Sequence, residues 1–235
     1  MLLTLAVFIL ILGVLVLSHE FGHFWLAKKA GLKVNEFAFG FPPKLISKTY
    51  KGTKYSLNLI PIGGYVKIHG ENGEDKNNSQ SFSSQSIKVR AGILIAGSLM
   101  NIFLGVLLVG LVEAGNIIWL IFSGLFFMLQ TLWQSGALPQ DIFGPVGIAS
   151  LTGDFLQRGF WDLLWFVSVL SINLGIINLL PFPALDGGRL LMLVIEKVKG
   201  RALNQKVEQL IHATGFALLI LLMIFITWQD IIRVF

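Results

Sequence analysis

Two histidines and a glutamate stand within five consecutive residues near the start of the chain, in the segment His19-Glu20-Phe21-Gly22-His23. Residues four apart in a helix lie on the same face, so His19 and His23 would present two imidazoles one turn apart. Two nitrogen donors at this spacing suit zinc, and a glutamate between them can accept a proton from a water at the metal. The pattern predicts a zinc site with His19 and His23 as ligands and Glu20 as the catalytic base.

A catalytic zinc ion commonly has three protein ligands and one position for water, so this site needs a third donor. We expect that donor to be Asp186, which follows two helix-breaking prolines and precedes two glycines that allow close backbone approach. The alternative is a solvated Asp-Gly turn. His69 and His212 are interpreted as interfacial histidines outside the site.

The composition indicates a membrane protein. Of 235 residues, 54% are hydrophobic and 13% are charged, against about 25% charged in ordinary soluble domains. A helix needs about 20 apolar residues to cross the bilayer core, and we predict spans at 2–26, 91–112, 163–182 and 213–228. His19, Glu20 and His23 would lie inside the first span, where ionisable groups are costly and usually functional. A helix end emerging into water is the alternative. The absence of cysteine excludes disulfides and thiolate metal sites.

The basic residues predict the orientation of these spans. Residues 28–90 and 189–206 hold 16 of the 18 Lys and Arg residues, so both stretches should face the cytoplasm and both termini should lie outside. This requires an even number of crossings between them. We therefore predict that the apolar segment 117–135 is an interfacial or bundle-packed helix, and a fifth span is the alternative. By the same argument, the first and third spans both end on the cytoplasmic side. Asp186 and the two histidines should therefore lie at a common depth in the membrane.

The cytoplasmic loop at 33–68 alternates polar and apolar residues and contains glycine and proline, which predicts short strands and a hairpin. An unwound substrate could pair with a strand edge within 62–68. The backbone at Gly63 and Gly64 would leave room for it, and Tyr65 and Val66 would continue the edge. The alternative is a structural plug that closes the cytoplasmic side.

Together, the spans and the hairpin predict the fold class of an all-α polytopic membrane protein. It would form a single domain over 1–235, with a small membrane-associated β-sheet after the first helix.

The chain resembles the site-2 protease family of intramembrane zinc metalloproteases, in particular the bacterial branch that includes RseP and RasP. The likeness covers nearly the whole chain and rests on four ordered motifs. These are His19–His23, the segment 60–67, the segment 96–101, and Asn178 with Pro181-x-Pro183 and Leu185-Asp186-Gly187-Gly188.

The resemblance implies Zn²⁺ at His19, His23 and Asp186, with Glu20 as base. It also implies that Asn173 and Asn178 hold substrate or the site, although helix–helix hydrogen bonding would explain both. The implied activity is cleavage of transmembrane segments of single-span proteins, such as anti-sigma factors or remnant signal peptides, in the bacterial inner membrane. No nucleic acid partner is expected.

Two departures from the branch stand out. The PDZ region that usually follows the second span is absent, which is compatible with a naturally minimal member or with removal of that region. Arg189 stands where histidine is common after the two glycines. A zinc-binding transporter and an inactive scaffold remain alternatives. A transporter should show acidic residues or histidines on several helices along a path, and a scaffold would have little reason to keep Glu20.

Overall fold

The computed structural model describes residues 1–73, 75–136, 142–201 and 204–234. It is mostly helical, which confirms the predicted fold class. The elements in chain order are α1 (Leu2–Lys29), β1 (Val34–Tyr50), β2 (Thr53–Ile68), a short 3₁₀ turn (Phe82–Ser84), α2 (Ile87–Ser135), α3 (Pro145–Arg158), α4 (Phe160–Asn178), α5 (Asp186–Lys199) and α6 (Gln205–Val234).

Among the described residues, four helices, α1, α2, α4 and α6, are long and apolar enough to cross a membrane. Helix α2 has 49 residues and is broken at Gly110, whose φ of 81° and ψ of 170° are not helical. Glycine adopts such a conformation without the steric cost that a Cβ imposes. The predicted span 91–112 and the predicted helix 117–135 therefore belong to one element, and the break falls two residues before the predicted end of that span. Whether the second part crosses the membrane stays a prediction.

The described chain divides into two compact units. One comprises Met1–Phe8, Phe103–Asn173 and Ala217–Phe235, and the other comprises Ile9–Ile102 and Leu174–Phe216. In the first unit, Glu113 of α2 accepts a hydrogen bond from Trp165 Nε1 of α4 at 2.7 Å. Also there, the buried Asp230 accepts one from the Gly147 backbone N–H at 2.8 Å. The second unit contains the histidine motif, the sheet and Asp186.

Within the second unit, α1 buries a stripe of residues spaced about one turn apart, while other apolar side chains of this helix, such as Leu10 and Trp25, are exposed. The stripe contains Ile11, Leu15, His19, His23 and Ala27. A helix with one protein-facing stripe and an apolar remainder fits a position at the edge of a membrane bundle. The two histidines therefore point into the protein because they fall on the buried stripe.

The sheet follows α1, as predicted, and consists of β1 and β2 paired antiparallel. The strands are joined at Lys51 and Gly52, which both have positive φ, as a two-residue hairpin turn requires. Strand β2 bends, so that Phe37 of β1 pairs with Tyr55 on one side and with Val66 on the other. The ring of Phe37 packs against Phe24 of α1 at a centroid distance of 5.3 Å. This contact fixes the sheet beside the histidine-bearing helix.

The final part of β2, Gly64–Ile68, is an edge of this sheet. It pairs with β1 on one side, and no strand in the described part of the chain pairs with its other side. Its last residue, Ile68, belongs to a buried apolar cluster with Ala27 of α1, Val34 of β1 and Ile93 of α2. The edge is thus held by packing at one end, and its outer side is open to a further strand within the described sheet.

Candidate metal centre

The two histidines of α1 are buried, and their Nε2 atoms lie 3.2 Å apart. The α-helix places them one turn apart on the same face, as their spacing predicts. His23 Nδ1 donates a hydrogen bond of 2.7 Å to the Ile93 carbonyl oxygen of α2. That bond leaves the Nε2 lone pair of His23 free toward His19, which is the orientation that backbone partners commonly give to metal-binding histidines.

The third candidate, Asp186, lies in the first turn of α5. Helix α4 ends at Asn178, and the chain turns through the two prolines before α5 begins. The turn is tight because Gly187 packs on the carbonyl groups of Leu179 and Leu180, where a Cβ would overlap them. Gly188 packs on Phe182 in the same way. The glycines therefore allow the backbone contacts that bring the Asp186 carboxylate to the histidines.

His19 Nε2, His23 Nε2 and Asp186 Oδ2 form a small triangle. Asp186 Oδ2 lies 3.0 Å from His19 Nε2 and 3.2 Å from His23 Nε2. Two ligands of a tetrahedral zinc ion at bond lengths of about 2.0–2.1 Å stand about 3.3 Å apart. The donor types and the three separations therefore fit a zinc ion with two nitrogen ligands and one oxygen ligand.

The environment of Asp186 favours its ionised form. Burial raises the pKa of this carboxyl, but hydrogen bonds and charge from His19 and His23 outweigh burial and hold the pKa well below its ordinary 3.8. Metal ligation requires a deprotonated carboxylate. Among the described residues, His19 Nδ1 is buried without a hydrogen-bond partner.

Glu20 lines a cavity of about 530 Å³ together with His19, His23 and Asp186. The edge of the sheet forms another wall, which includes the four hairpin residues Gly63, Gly64, Tyr65 and Val66. A Cβ built on Gly64 would stand 3.3 Å from Glu20 Cγ, so the edge passes directly beside this carboxylate. The sheet edge and the three donor atoms therefore share one cavity.

The two asparagines singled out by the sequence lie in different units. Asn178 lines the cavity, and its Nδ2 donates to the Leu174 carbonyl oxygen at 3.0 Å, one turn back in α4. Asn173 belongs to the other unit, and its role in holding substrate stays a prediction.

His69 pairs with Asp75 at 3.1 Å, and His212 Nδ1 accepts a hydrogen bond from the Ala184 backbone N–H at 3.1 Å. Neither histidine lines the cavity.

The sequence did not indicate an ion pair in the cavity wall between Glu71, just after β2, and Arg189 of α5. Burial lowers the pKa of Arg189, but the adjacent Glu71 carboxylate outweighs burial and raises the pKa above its usual range. Arg189 is therefore a permanent cation beside the metal centre. Its position directly after Asp186-Gly187-Gly188 was the available signal, whereas Glu71 lies in a polar loop without a motif.

The sequence model of peptidase family M50 matches residues 7–222 of the chain. Proteins named zinc metalloprotease RasP are similar over 99% of this chain and 99% of their own, at 27% identity in Oceanobacillus iheyensis and 26% in Shouchella clausii. The one from Geobacillus kaustophilus is 53% identical over 92 residues, which cover 39% of this chain and 22% of that protein. The Oceanobacillus alignment spans 421 residues, so that relative holds many additional residues inside the aligned region.

Proposed function

This chain belongs to peptidase family M50, and we propose that it hydrolyses peptide bonds within or beside the transmembrane segments of single-span membrane proteins. Family and apolar helices together make it a multi-pass membrane zinc metalloprotease. The observation that supports the proposal most directly is the approach of His19 Nε2, His23 Nε2 and Asp186 Oδ2 to one another. The proposed substrates are single-span proteins such as anti-sigma factors or remnant signal peptides, which would be cut in regulated intramembrane proteolysis.

His19, His23 and Asp186 would hold the zinc ion, with Asp186 partly neutralising its charge. Zinc, when bound, acidifies water and polarises a carbonyl group. The Ile93 carbonyl oxygen holds the His23 ring in the ligating orientation through Nδ1. The packing of α1 and α5 sets the ligand positions in advance, which limits reorganisation during the reaction.

Glu20 would act as the general base. Its carboxylate accepts a proton from the attacking water and then delivers it to the nitrogen of the leaving amine. Both transfers need a group in the same cavity as the scissile bond, and Glu20 lines the cavity that contains the three donor atoms. The neighbouring histidines are assigned to the metal, and Glu20 is the carboxylate that stands between them in the motif.

A transmembrane helix satisfies its backbone groups internally, so its peptide bonds must leave the helix before they can be cleaved. The edge Gly64–Ile68 has unpaired backbone groups within the described sheet and lines the cavity. An unwound substrate segment would pair with this edge and replace the lost helical hydrogen bonds. The close approach of Gly64 to Glu20 would then hold the substrate backbone near the base.

The proposed setting is the bacterial inner membrane, with the basic loops in the cytoplasm and both termini outside. The support is the charge distribution, in which 28–90 and 189–206 hold 16 of the 18 basic residues. Under this topology the chemistry takes place near the cytoplasmic surface.

The direct test uses the purified chain in nanodiscs, analysed for zinc and incubated with a single-span substrate. Wild type and Glu20→Gln should both bind zinc, and only wild type should cleave, because the amide cannot accept the proton. His19→Ala supplies the matched variant that should lose zinc as well as cleavage. Equal cleavage by wild type and Glu20→Gln, or wild type without zinc, would overturn the proposal.

A further inference from the structure

A second cavity, of about 360 Å³, adjoins the catalytic cavity in the same unit. The loop after β2, helix α5 and the first turns of α6 form most of its wall. Glu71, Phe82, Leu94 and Arg189 line both cavities. The two spaces therefore meet at the Glu71–Arg189 ion pair.

This ion pair joins two segments that also form the metal centre. Arg189 stands three residues after Asp186, and Glu71 stands three residues after Ile68, the last residue of the sheet edge. Glu71 Oε2 also accepts the Ile68 backbone N–H at 3.4 Å. The side chains of Glu71 and Arg189 keep 20% and 37% of their surface exposed, so both remain in contact with the space around them.

The wall of the second cavity combines polar and apolar side chains, and it contains two ion pairs. Arg90 and Glu196 form an ion pair of 2.6 Å there, in addition to Glu71–Arg189. Gln205 donates a hydrogen bond of 2.7 Å to the Gly73 carbonyl oxygen, which ties the loop to α6. Apolar side chains complete the wall, and they are Phe82, Leu94, Met192 and Leu193. Such a surface suits long polar side chains, whose carbon stems pack on apolar groups while their ends make hydrogen bonds.

The direction of the sheet edge connects the two cavities. Residues 63–68 line the catalytic cavity, and the chain continues directly into 71–73, which line the second cavity. An extended segment that pairs with the edge is therefore aimed past Glu71 and Arg189. The residues that flank a transmembrane span are commonly polar or basic, and the ion pairs and amide groups of the second cavity offer such residues hydrogen-bond partners.

We propose that the second cavity is a binding subsite for the polar segment that flanks the scissile bond of a transmembrane substrate. To reach this subsite, the polar segment passes beside the Glu71–Arg189 ion pair, where the two cavities meet. The inference rests on the proposed function, since it names the part of the substrate that extends beyond the catalytic cavity. It makes the polar flank, as well as the apolar span, a determinant of substrate choice.

The test measures binding separately from cleavage, with Glu20→Gln in nanodiscs and a single-span substrate that bears a photoreactive residue in its polar flank. Cross-links should map to second-cavity residues such as Lys76, Met192 or Gln209. Gln209→Trp, made in the same background, should lower the cross-link yield several-fold because the indole fills the cavity. Val207→Trp is the matched control, since Val207 is exposed on the same helix and does not line the cavity.

Cross-links outside the second cavity, or equal yields from the two tryptophan variants, would overturn the subsite. Wild-type cleavage of the same substrate is followed in parallel. If cleavage is absent while the cross-links map as expected, the proposed protease function fails and the subsite stands. Where wild type cleaves, shortening the polar flank of the substrate should raise KM several-fold with little change in kcat. With Gln209→Trp, the full-length and the shortened substrate should have similar KM values.

Discussion

Gly97 of α2 lies directly against the imidazole ring of His23. A Cβ built at position 97 would stand 2.7 Å from His23 Cε1, closer than nonbonded carbon atoms approach. Opposite it, Gly22 of α1 packs on the Ala96 backbone, where a Cβ would also overlap. The two helices therefore meet through glycines on both sides, and the His23 ring occupies the space that a side chain at 97 would need.

Gly97→Ala should therefore weaken zinc binding by about 10- to 100-fold, the usual effect of disturbing the residues that orient a metal ligand. Zinc affinity is measured by competition with a chelator of known strength. Gly92→Ala is the matched control on the same helix, because its nearest neighbour, Leu26 Cδ2, is at an ordinary 3.6 Å. Equal zinc affinities in the two variants would contradict the packing argument.

Removal of the metal should stop cleavage without unfolding the helices, because α1 and α5 are held by packing as well as by the three donor atoms. A strong chelator should abolish activity, and added zinc should restore it. Asp186→Asn should show reduced zinc content and should not recover at the same zinc concentration, since the amide lacks the carboxylate charge. Circular dichroism before and after chelation checks that helix content is kept.

Proline in the sheet edge should impair substrate pairing and leave the metal in place. Tyr65 and Val66 are adjacent in the edge strand, so one of the two backbone N–H groups points away from β1. Tyr65→Pro or Val66→Pro should therefore raise KM for a single-span substrate while zinc content stays at the wild-type level. Cleavage at the wild-type rate by both variants would count against strand addition.

The topology predicts opposite labelling at two serines. The chain contains no cysteine, so Ser135→Cys and Ser47→Cys each introduce a unique thiol. A membrane-impermeant maleimide added outside intact cells should label position 135 and spare position 47, because the basic loop around 47 faces the cytoplasm. The reverse pattern would contradict the orientation, whereas a failure to label either position would indicate a full crossing by 117–135.

The sheet should lose stability in acid through Glu36. Burial raises the pKa of this carboxyl, but hydrogen bonds from Ser56 and Lys44 outweigh it and lower the pKa below the ordinary 4.5. A lowered folded-state pKa means that the carboxylate stabilises the fold above about pH 4.5 and that this stability is lost as pH falls through the folded value. The melting temperature of wild type should exceed that of Glu36→Gln at pH 6, and the two should converge near pH 3. A difference independent of pH would exclude this cause.

The chemistry of the site could be predicted from the sequence because it depends on local rules. The spacing of His19 and His23 predicts one helix face, and charge placement predicts a common depth for Asp186. The structure brings the donor atoms of all three together, and their roles await the zinc and cleavage measurements. The strands at 33–68 were predictable from alternation, but the bend of β2 that lets both halves flank β1 has no signal in the pattern.

Other features depend on distant contacts or on single backbone angles. The break at Gly110 lies among many glycines in apolar helices, and nothing local distinguishes it from Gly105 or Gly115. Glu71 and Arg189 are 118 residues apart, so their pairing requires the whole second unit to be folded. The second cavity follows from that pairing and was inaccessible to sequence reasoning for the same reason.

The contacts of Gly187 and Gly188 with the chain just before them have a consequence for inhibitor resistance. Resistance commonly arises when a binding-site residue changes size without loss of activity. Here any side chain at 187 or 188 would meet backbone carbonyl groups, which cannot move aside as a flexible side chain can. Asp186, the proposed zinc ligand just before these glycines, does line the cavity, so a compound that binds beside it would face a backbone that substitutions at 187 and 188 cannot reshape without overlap.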